Sequence, residues 1–382
     1  MAVTRKAIKS NTDELDDVLH NIAASINKSI KDDDLQVIIG DDDGSAGKSV
    51  PFWVRTYIPQ LDYAIGGRKH PGIPFARIIE IFGGESCGKS TLAVWITKCA
   101  IEQYKTFALY QDAERVLTPE IIKGTGLNMK RIILQNPETL EEVFQTQEAT
   151  LDSLEQQSGE KRPAVTVVDS VAACSTNAEL EGEYGDAVMA SHARILSQAL
   201  RKIKGRILSN CVLAIFVNQI RDNMNASFGK KTTTPGGRAL PFYSSVRIEM
   251  VKIQTLKKDG CEPYGSRHKA TIIKNKVAPP LRNAEFEIDY IEDKGGSYPQ
   301  INIGRALIEW CLDKGFLEGK SGRVQIDGKN LYVNQAAELV NQDEQLLDML
   351  VDLAYSYGSD ETGKVLISGR GISRILLYQV PG

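Results

Sequence analysis

Apolar residues recur along this chain in short, nearly continuous runs separated by longer mixed stretches. The runs are Arg77–Phe82, Phe107–Gln111, Arg131–Leu134, Ala164–Val168 and Val212–Asn218. Strands buried on both faces read this way, because neither face is left for water. Between them, Ser90–Tyr104, Leu140–Glu155 and Ser191–Leu208 have the length and mixed polarity of helices. Such alternation predicts an α/β fold with a mostly parallel sheet between helix layers. After Tyr243 the pattern changes to VRIEMVKI, HKATIIKNKV and EFEIDYI, consecutive strands that predict an antiparallel extension. Ahead of the core, Leu15, Val18, Leu19, Ile22, Ile26 and Ile30 recur at helical spacing, followed by a strand candidate, Leu35–Ile39, and a Gly/Asp/Ser-rich linker. That piece is too small to bury its own core, so it reads as an arm that docks elsewhere. From about Ile301 a small mixed region opens with an amphipathic helix through Leu307, Trp310 and Cys311. The expected organisation is an arm and linker over 1–55, a core over 56–295 and a small α/β C-terminal domain over 296–382.

Composition adds little until it is located. The chain has 382 residues, 42% hydrophobic and 25% charged, with a net charge of −3. These are ordinary globular values. From Arg194 to Lys258, however, thirteen Lys and Arg stand against Asp222 and Glu249, whereas Asn11–Asp43 carries ten acids against Lys28 and Lys31. A basic middle beside an acidic arm is the pattern expected if one surface meets phosphates. The six cysteines are scattered without a CxxC pair, which argues against a zinc site or a disulfide framework and for reduced core thiols. No apolar leader or membrane-length run is present, so a cytoplasmic protein with no membrane partner is expected.

One motif carries specific chemistry. Gly83-Gly84-Glu85-Ser86-Cys87-Gly88-Lys89-Ser90 fits G-x-x-x-x-G-K-[ST] and lies between the apolar strand RIIEIF and the helix STLAVWITKCA. Glycines there let successive N–H groups turn toward phosphate oxygens. Lys89 would reach the β/γ-phosphates and the Ser90 hydroxyl a Mg²⁺ ion. Three strand ends can complete a hydrolytic site. Asp169 closes AVTVVD as a metal-binding carboxylate or, on its own, equally as a helix cap. Glu114 follows FALYQDA as a candidate general base, with Asp112 competing for that role. Gln219 ends VLAIFVNQ as a γ-phosphate sensor. Ligands in open α/β sheets gather at the carboxyl ends of strands, so one site can hold all three.

Several longer segments go beyond a phosphate loop: GGESCGKST, DAERVLTP, VVDSVAA, AELEGEYGDAVMA, ARILSQALRKI, IFVNQIRDNMNASFGKKTTTPGGRALPFYSSVRIEM and KNKVAPPLRNAEFEIDY. In this order, from about Ile78 to Tyr290, they resemble the bacterial RecA recombinase family. The resemblance implies an ATPase that forms helical filaments on single-stranded DNA and pairs it with homologous double-stranded DNA, in recombination, repair and the response to DNA damage. ATP and Mg²⁺ would be the cofactors. Lys89, Ser90, Thr91, Glu114, Asp169 and Gln219 would take the roles given above, with Glu114 preferred to Asp112. Glu181–Ala190 and Arg221–Arg238 would be two DNA-binding loops. Within and beside them Met189 and Met224 would wedge into stretched DNA, Arg194 and Arg201 would contact phosphates, Arg221 and Arg238 would bind DNA as part of the second loop, and the backbone N–H groups of Thr234, Gly236 and Gly237 would cradle phosphates. Polar, Gly-rich and basic, the second loop is expected to read the backbone rather than the bases. Lys274 and Lys276 would reach the ATP of the neighbouring subunit, with Phe242 in the same interface. Single-strand-binding and loading proteins are the further partners implied.

The chain also departs from that family. Thr118 and Ile121 stand where an acid and a tyrosine are usual on the adenine side, and Pro241 where an interface lysine is usual. Cys87 occupies a small-residue position in the phosphate loop and reads as a neutral substitution. The C-terminal region is diverged and ends in ISRILLYQVPG rather than an acidic tail. Two rival functions remain open at this stage, a ring-forming helicase-like motor on DNA and a non-hydrolysing filament scaffold.

Overall fold

The structure is a computed structural model that describes residues 18–29, 50–157, 163–182, 189–222, 232–233, 235–293, 296–326 and 328–357. The chain divides into two units, Met1–Pro51 and Phe52–Gly382. In the first, residues 18–29 form a helix on which Val18, Leu19, Ile22 and Ile26 are all exposed, as the spacing of an amphipathic arm predicts. The strand candidate Leu35–Ile39 lies outside the described residues.

The second unit is built on a nine-stranded sheet. Its strands are β1 (Arg77–Gly83), β2 (Ala108–Asp112), β3 (Ile132–Gln135), β4 (Ala164–Asp169), β5 (Val212–Gln219), β6 (Val246–Lys257), β7 (Pro263–Asn275), β8 (Asn283–Asp293) and β9 (Gly296–Ile301). They lie in the order β9-β8-β7-β6-β1-β5-β4-β2-β3. The six strands from β6 to β3 pair in parallel, and β6 to β9 form an antiparallel ladder. Both halves of the sequence expectation are therefore present in one sheet.

Burial of both faces explains the continuous apolar runs. On β5, Leu213, Ile215 and Val217 point into one core and Val212, Ala214 and Phe216 into the other. The first core packs under α2 (Lys89–Tyr104), through Leu92, Trp95, Ile96 and Cys99. The second packs under α4 (Leu140–Glu155) and α6 (Met189–Ser209), through Val143, Phe144, Leu196, Leu200 and Ile203. Helix α4 starts at a capping box in which Thr139 and Glu142 satisfy each other's backbone N–H groups. The run Arg131–Leu134 differs from the buried strand expected. It forms the sheet's last strand, and Ile133 and Leu134 are about half exposed because no strand among the described residues covers that edge.

The remaining helices are α1 (Pro59–Gly66), α3 (Pro119–Thr125), α5 (Asn177–Glu181), α7 (Ala239–Tyr243), α8 (Ile303–Asp313), α9 (Val333–Gln342) and α10 (Glu344–Tyr355). Helices α8 to α10 share a separate apolar cluster with a three-stranded sheet formed by Gly319–Lys320, Arg323–Ile326 and Lys329–Tyr332. Tyr63 of α1 stacks on Trp310 of that cluster, and its hydroxyl donates to the carbonyls of Ala354 and Tyr357. Asp62, fully buried on α1, accepts from Thr56 and from the Tyr355 hydroxyl.

Candidate nucleotide site and neighbouring DNA surface

The sheet register assembles the site before any side chain is considered. β1, β5, β4 and β2 are adjacent and parallel, so their carboxyl ends lie in one row. Gly83 pairs with Gln219, and Asp112 pairs with Asp169. Motifs more than a hundred residues apart in sequence therefore meet within a few ångströms.

Glycine is required in the phosphate loop for two separate reasons. A Cβ on Gly83 would lie 2.2 Å from the Met250 carbonyl oxygen, which is backbone and cannot yield. Gly88, the N-cap of α2, has φ +81° and would push a Cβ to 2.9 Å from Ile288. Gly84, by contrast, faces open space. Glu85 and Ser86 are exposed at the loop tip, while Cys87, Lys89 and Thr91 are buried. The Lys89 ammonium donates to the Gly84 carbonyl at 2.6 Å, so it closes the loop on itself. The Cys87 thiol donates to the same carbonyl at 3.0 Å. Burial pushes that thiol's pKa up, against the opposing pull of Lys89, and a thiol held protonated is a poor nucleophile.

The polar groups around the loop form one connected set. Ser90 Oγ donates to Asp169 Oδ1 at 3.2 Å, and the Tyr110 hydroxyl donates to Asp169 Oδ2 at 2.8 Å. Burial raises the Asp169 carboxyl to about 7 despite these bonds, with Glu114 and Asp112 adding to the rise. The Ser90 hydroxyl and the Asp169 carboxylate are hard oxygen donors side by side. Such a pair fits Mg²⁺, which keeps waters and phosphate oxygens for its other positions. Among the described residues no cluster of three or more His, Cys, Asp or Glu could hold a metal by itself.

Glu114 lies beside this set, its backbone N–H donating to the Asp169 carbonyl at 3.1 Å. Its Oε1 accepts from Gln219 Nε2 at 3.0 Å and from the Ser170 hydroxyl. The competing carboxylate, Asp112, is occupied: its two oxygens accept from the backbone N–H groups of Val116 and Leu117 at 2.8 and 3.0 Å. Tyr110 and Ser170 were not singled out from the sequence. Ser170 follows Asp169 directly and Tyr110 faces Asp169 only through the β2–β4 register, a signal that the linear chain does not display.

This arrangement of loop, carboxylates and glutamine is accompanied by matching sequence. A family model described as the RecA N-terminal domain matches residues 50–295. The chain belongs to the RecA family. Its relatives include Protein RecA of Symbiobacterium thermophilum, 37% identical over 310 residues that cover 79% of this chain and 85% of that one. Protein RecA of Synechococcus elongatus is 42% identical over 75% of each chain. Protein RecA of Clostridium novyi is 46% identical over 60% of this chain and 62% of its own length.

The other RecA-type positions fall into three groups. Arg194 and Arg201 are exposed on α6, on the side opposite the buried Leu196, Leu200 and Ile203. Met189 opens the same helix, and Arg221 begins a two-residue strand that pairs with Thr232–Thr233. Gly236 and Gly237 have φ +83° and +66°, and a Cβ on Gly236 would come within 2.3 Å of Leu196. Asn218 bridges this turn to the core, donating to the Pro235 carbonyl at 3.2 Å and to buried Glu80 at 3.1 Å, with Arg247 paired to the same carboxylate. Arg238 is exposed at the start of α7. Met224 and Thr234 lie outside the described residues, as does 183–188 of the first loop.

The third group faces away from the chain's own site. Lys276 is exposed, and Phe242 is 70% exposed. Lys274, expected to reach outward, instead donates to the carbonyls of Pro241 and Phe242 at 2.7 and 2.9 Å. Orphan carbonyls at the end of α7 attract any nearby cation. Burial, with Lys276 and Arg247 nearby, lowers its pKa. Thr118, one of the positions that depart from the family's usual residues, caps α3 by accepting from Ile121 N–H and so holds a structural role.

Proposed function

We propose that this chain is an ATP-dependent DNA recombinase that assembles on single-stranded DNA and exchanges strands with a homologous duplex. The observation that carries the reading is the hydrogen bond between Glu114 and Gln219. It ties the candidate base to β5, and β5 leads directly into the second DNA loop at Arg221. Nucleotide state and DNA grip then share one side chain.

Bound ATP would take Lys89 from the Gly84 carbonyl onto its phosphates, with the backbone N–H groups at the start of α2 behind it. Mg²⁺ held by Ser90 and Asp169 would neutralise phosphate charge. Gln219 would exchange Glu114 for the terminal phosphate and draw on the loop that starts at Arg221. Glu114, relieved of that donor, orients a water for in-line attack and accepts its proton. Lys276, and Lys274 once it leaves α7, would supply positive charge to the site of the next subunit, so that turnover requires assembly. Arg194, Arg201, Arg221 and Arg238, with Met189, Met224 and the N–H groups of Thr234, Gly236 and Gly237, would hold the DNA backbone. Sequence fidelity then comes from base pairing.

The test is ATP turnover with and without single-stranded DNA, beside negative-stain imaging. DNA-stimulated turnover with helical filaments is expected, and both are lost in Lys89→Ala. Closed rings, or turnover indifferent to DNA, would replace this reading with a helicase-like motor.

A further inference from the structure

The antiparallel extension forms the floor of the phosphate loop. Beneath Gly88 lie Ile288 of β8 and the ring of His268 on β7, whose Cε1 and Nδ1 are each 3.3 Å from where a Gly88 Cβ would be. His268 is 2% exposed and stacks on Phe286 at 6.1 Å between ring centres. A buried imidazole needs a partner for each nitrogen. Nε2 has one: Ser266 Oγ at 2.7 Å, which is in turn 3.0 Å from the Tyr290 hydroxyl. Nδ1 has none within hydrogen-bond geometry among the described residues. The group it lies against is the Cys87–Gly88 backbone of the phosphate loop.

Proton direction follows from this layout. Cys87 presents a carbonyl, so the bond that Nδ1 can complete requires Nδ1–H. Nε2 is then the acceptor, and the Ser266 hydroxyl must donate to it. Tyr290 can donate to Ser266 in turn. Burial lowers the imidazole pKa to about 4, against the pull of the Cys87 backbone, so the ring is neutral at physiological pH with one donor and one acceptor.

We propose that His268 is a positioning residue for the phosphate loop: its Nδ1–H, directed by the Ser266–Tyr290 hydroxyl pair, bonds the Cys87 carbonyl when the loop opens to receive phosphate. In the loop described here, Lys89 and the Cys87 thiol both hold the Gly84 carbonyl. Withdrawal of Lys89 onto a nucleotide leaves the Cys87 thiol as the one remaining tie of these two, and the His268 bond makes up for the lost one from below. The inference rests on the phosphate-binding reading of the loop and adds a residue outside the motif.

Two conservative variants of the full chain separate hydrogen bonding from packing. His268→Asn keeps a donor at the δ position. His268→Gln keeps a polar group only at the ε position, toward Ser266. Each is measured for equilibrium binding of a fluorescent non-hydrolysable ATP analogue with Mg²⁺, and for DNA-stimulated turnover. His268→Gln should weaken analogue binding and raise the KM for ATP by about five- to tenfold, the effect of one hydrogen bond, with kcat at saturation within about twofold. His268→Asn should stay within about twofold of the natural chain. Tyr290→Phe, which leaves the ring in place, should weaken binding about two- to fivefold. Equal losses in the Asn and Gln variants would assign His268 to packing alone, and unchanged affinity in Tyr290→Phe would remove the directing role of the hydroxyls. A natural chain that fails to bind the analogue at all would sink the nucleotide reading itself, a result separable from either.

Discussion

Glu114 and Asp112 are two residues apart, yet the structure separates their chemistry completely. Asp112 accepts two backbone N–H groups and is committed to the turn after β2. Among the described residues the Glu114 carboxylate accepts from two side chains, Gln219 and Ser170, that can be exchanged for water or phosphate. Glu114→Gln should therefore lower kcat by about 10²- to 10⁴-fold while leaving analogue affinity near that of the natural chain. Turnover and equilibrium binding measured on the same preparation check it, and a parallel loss of affinity would mean that Glu114 only shapes the pocket. A different carboxyl controls stability. Burial pushes Asp62 up from 3.8 to about 7, although Tyr355 and Thr56 donate to it. A carboxyl whose folded pKa lies above its unfolded value stabilises the fold fully below the unfolded value, and that contribution is lost as pH rises through the folded one. Tm should accordingly fall between about pH 4 and pH 7, and Asp62→Asn should flatten part of the slope. Asp169 and Asp289, also raised by burial, would keep the remainder. A slope unaltered by Asp62→Asn would place the titration elsewhere.

At the scale of elements, helix and strand positions were readable because each carries a repeating pattern. The parallel strands are buried on both faces, so nearly every residue had to be apolar. Helices α4 and α6 needed one apolar stripe each, whereas α2 is buried around most of its circumference. The edge strand β3 misled for the same reason: Ile132, Ile133 and Leu134 look like a buried run, while their exposure depends on the strand's place in the sheet. The turn at Gly236 shows what a local conformation can control. Its φ of +83° and its approach to Leu196 hold the segment proposed as the returning end of the second DNA loop against α6. Gly236→Ala should strain that turn by about 1–2 kcal/mol. We expect weaker single-stranded DNA binding with ATP-analogue affinity retained, as read by fluorescence anisotropy on both ligands. Unchanged DNA affinity would show that the turn does not organise the loop.

Over the whole molecule, a net charge of −3 conceals a basic face. Arg194 and Arg201 are exposed on α6, on the face turned away from the Leu196 side against which the Gly236 turn packs, so on the proposed function phosphate binding would be a matter of location rather than of total charge. If each contacts one phosphate, Arg194→Ala and Arg201→Ala should each lower the slope of log affinity against log salt by about 0.7 on single strands, without altering base preference. Slopes identical to the natural chain's would move the DNA surface elsewhere. The exposed Phe242 and Lys276, and Lys274 parked on the end of α7, belong to the same scale. On the proposed function their role would require a second copy of the chain.

The linear chain by itself determined the α/β class, the antiparallel extension and the phosphate loop. Each of these rests on spacing within a short window: an apolar period, or two glycines and a lysine in eight residues. Tertiary structure alone decided which carboxylate is free, that Tyr110 and Ser170 join the site, and that His268 lies under Gly88. Those facts depend on strand register and close packing between segments up to 180 residues apart, where a shift of one residue turns a side chain to the opposite face.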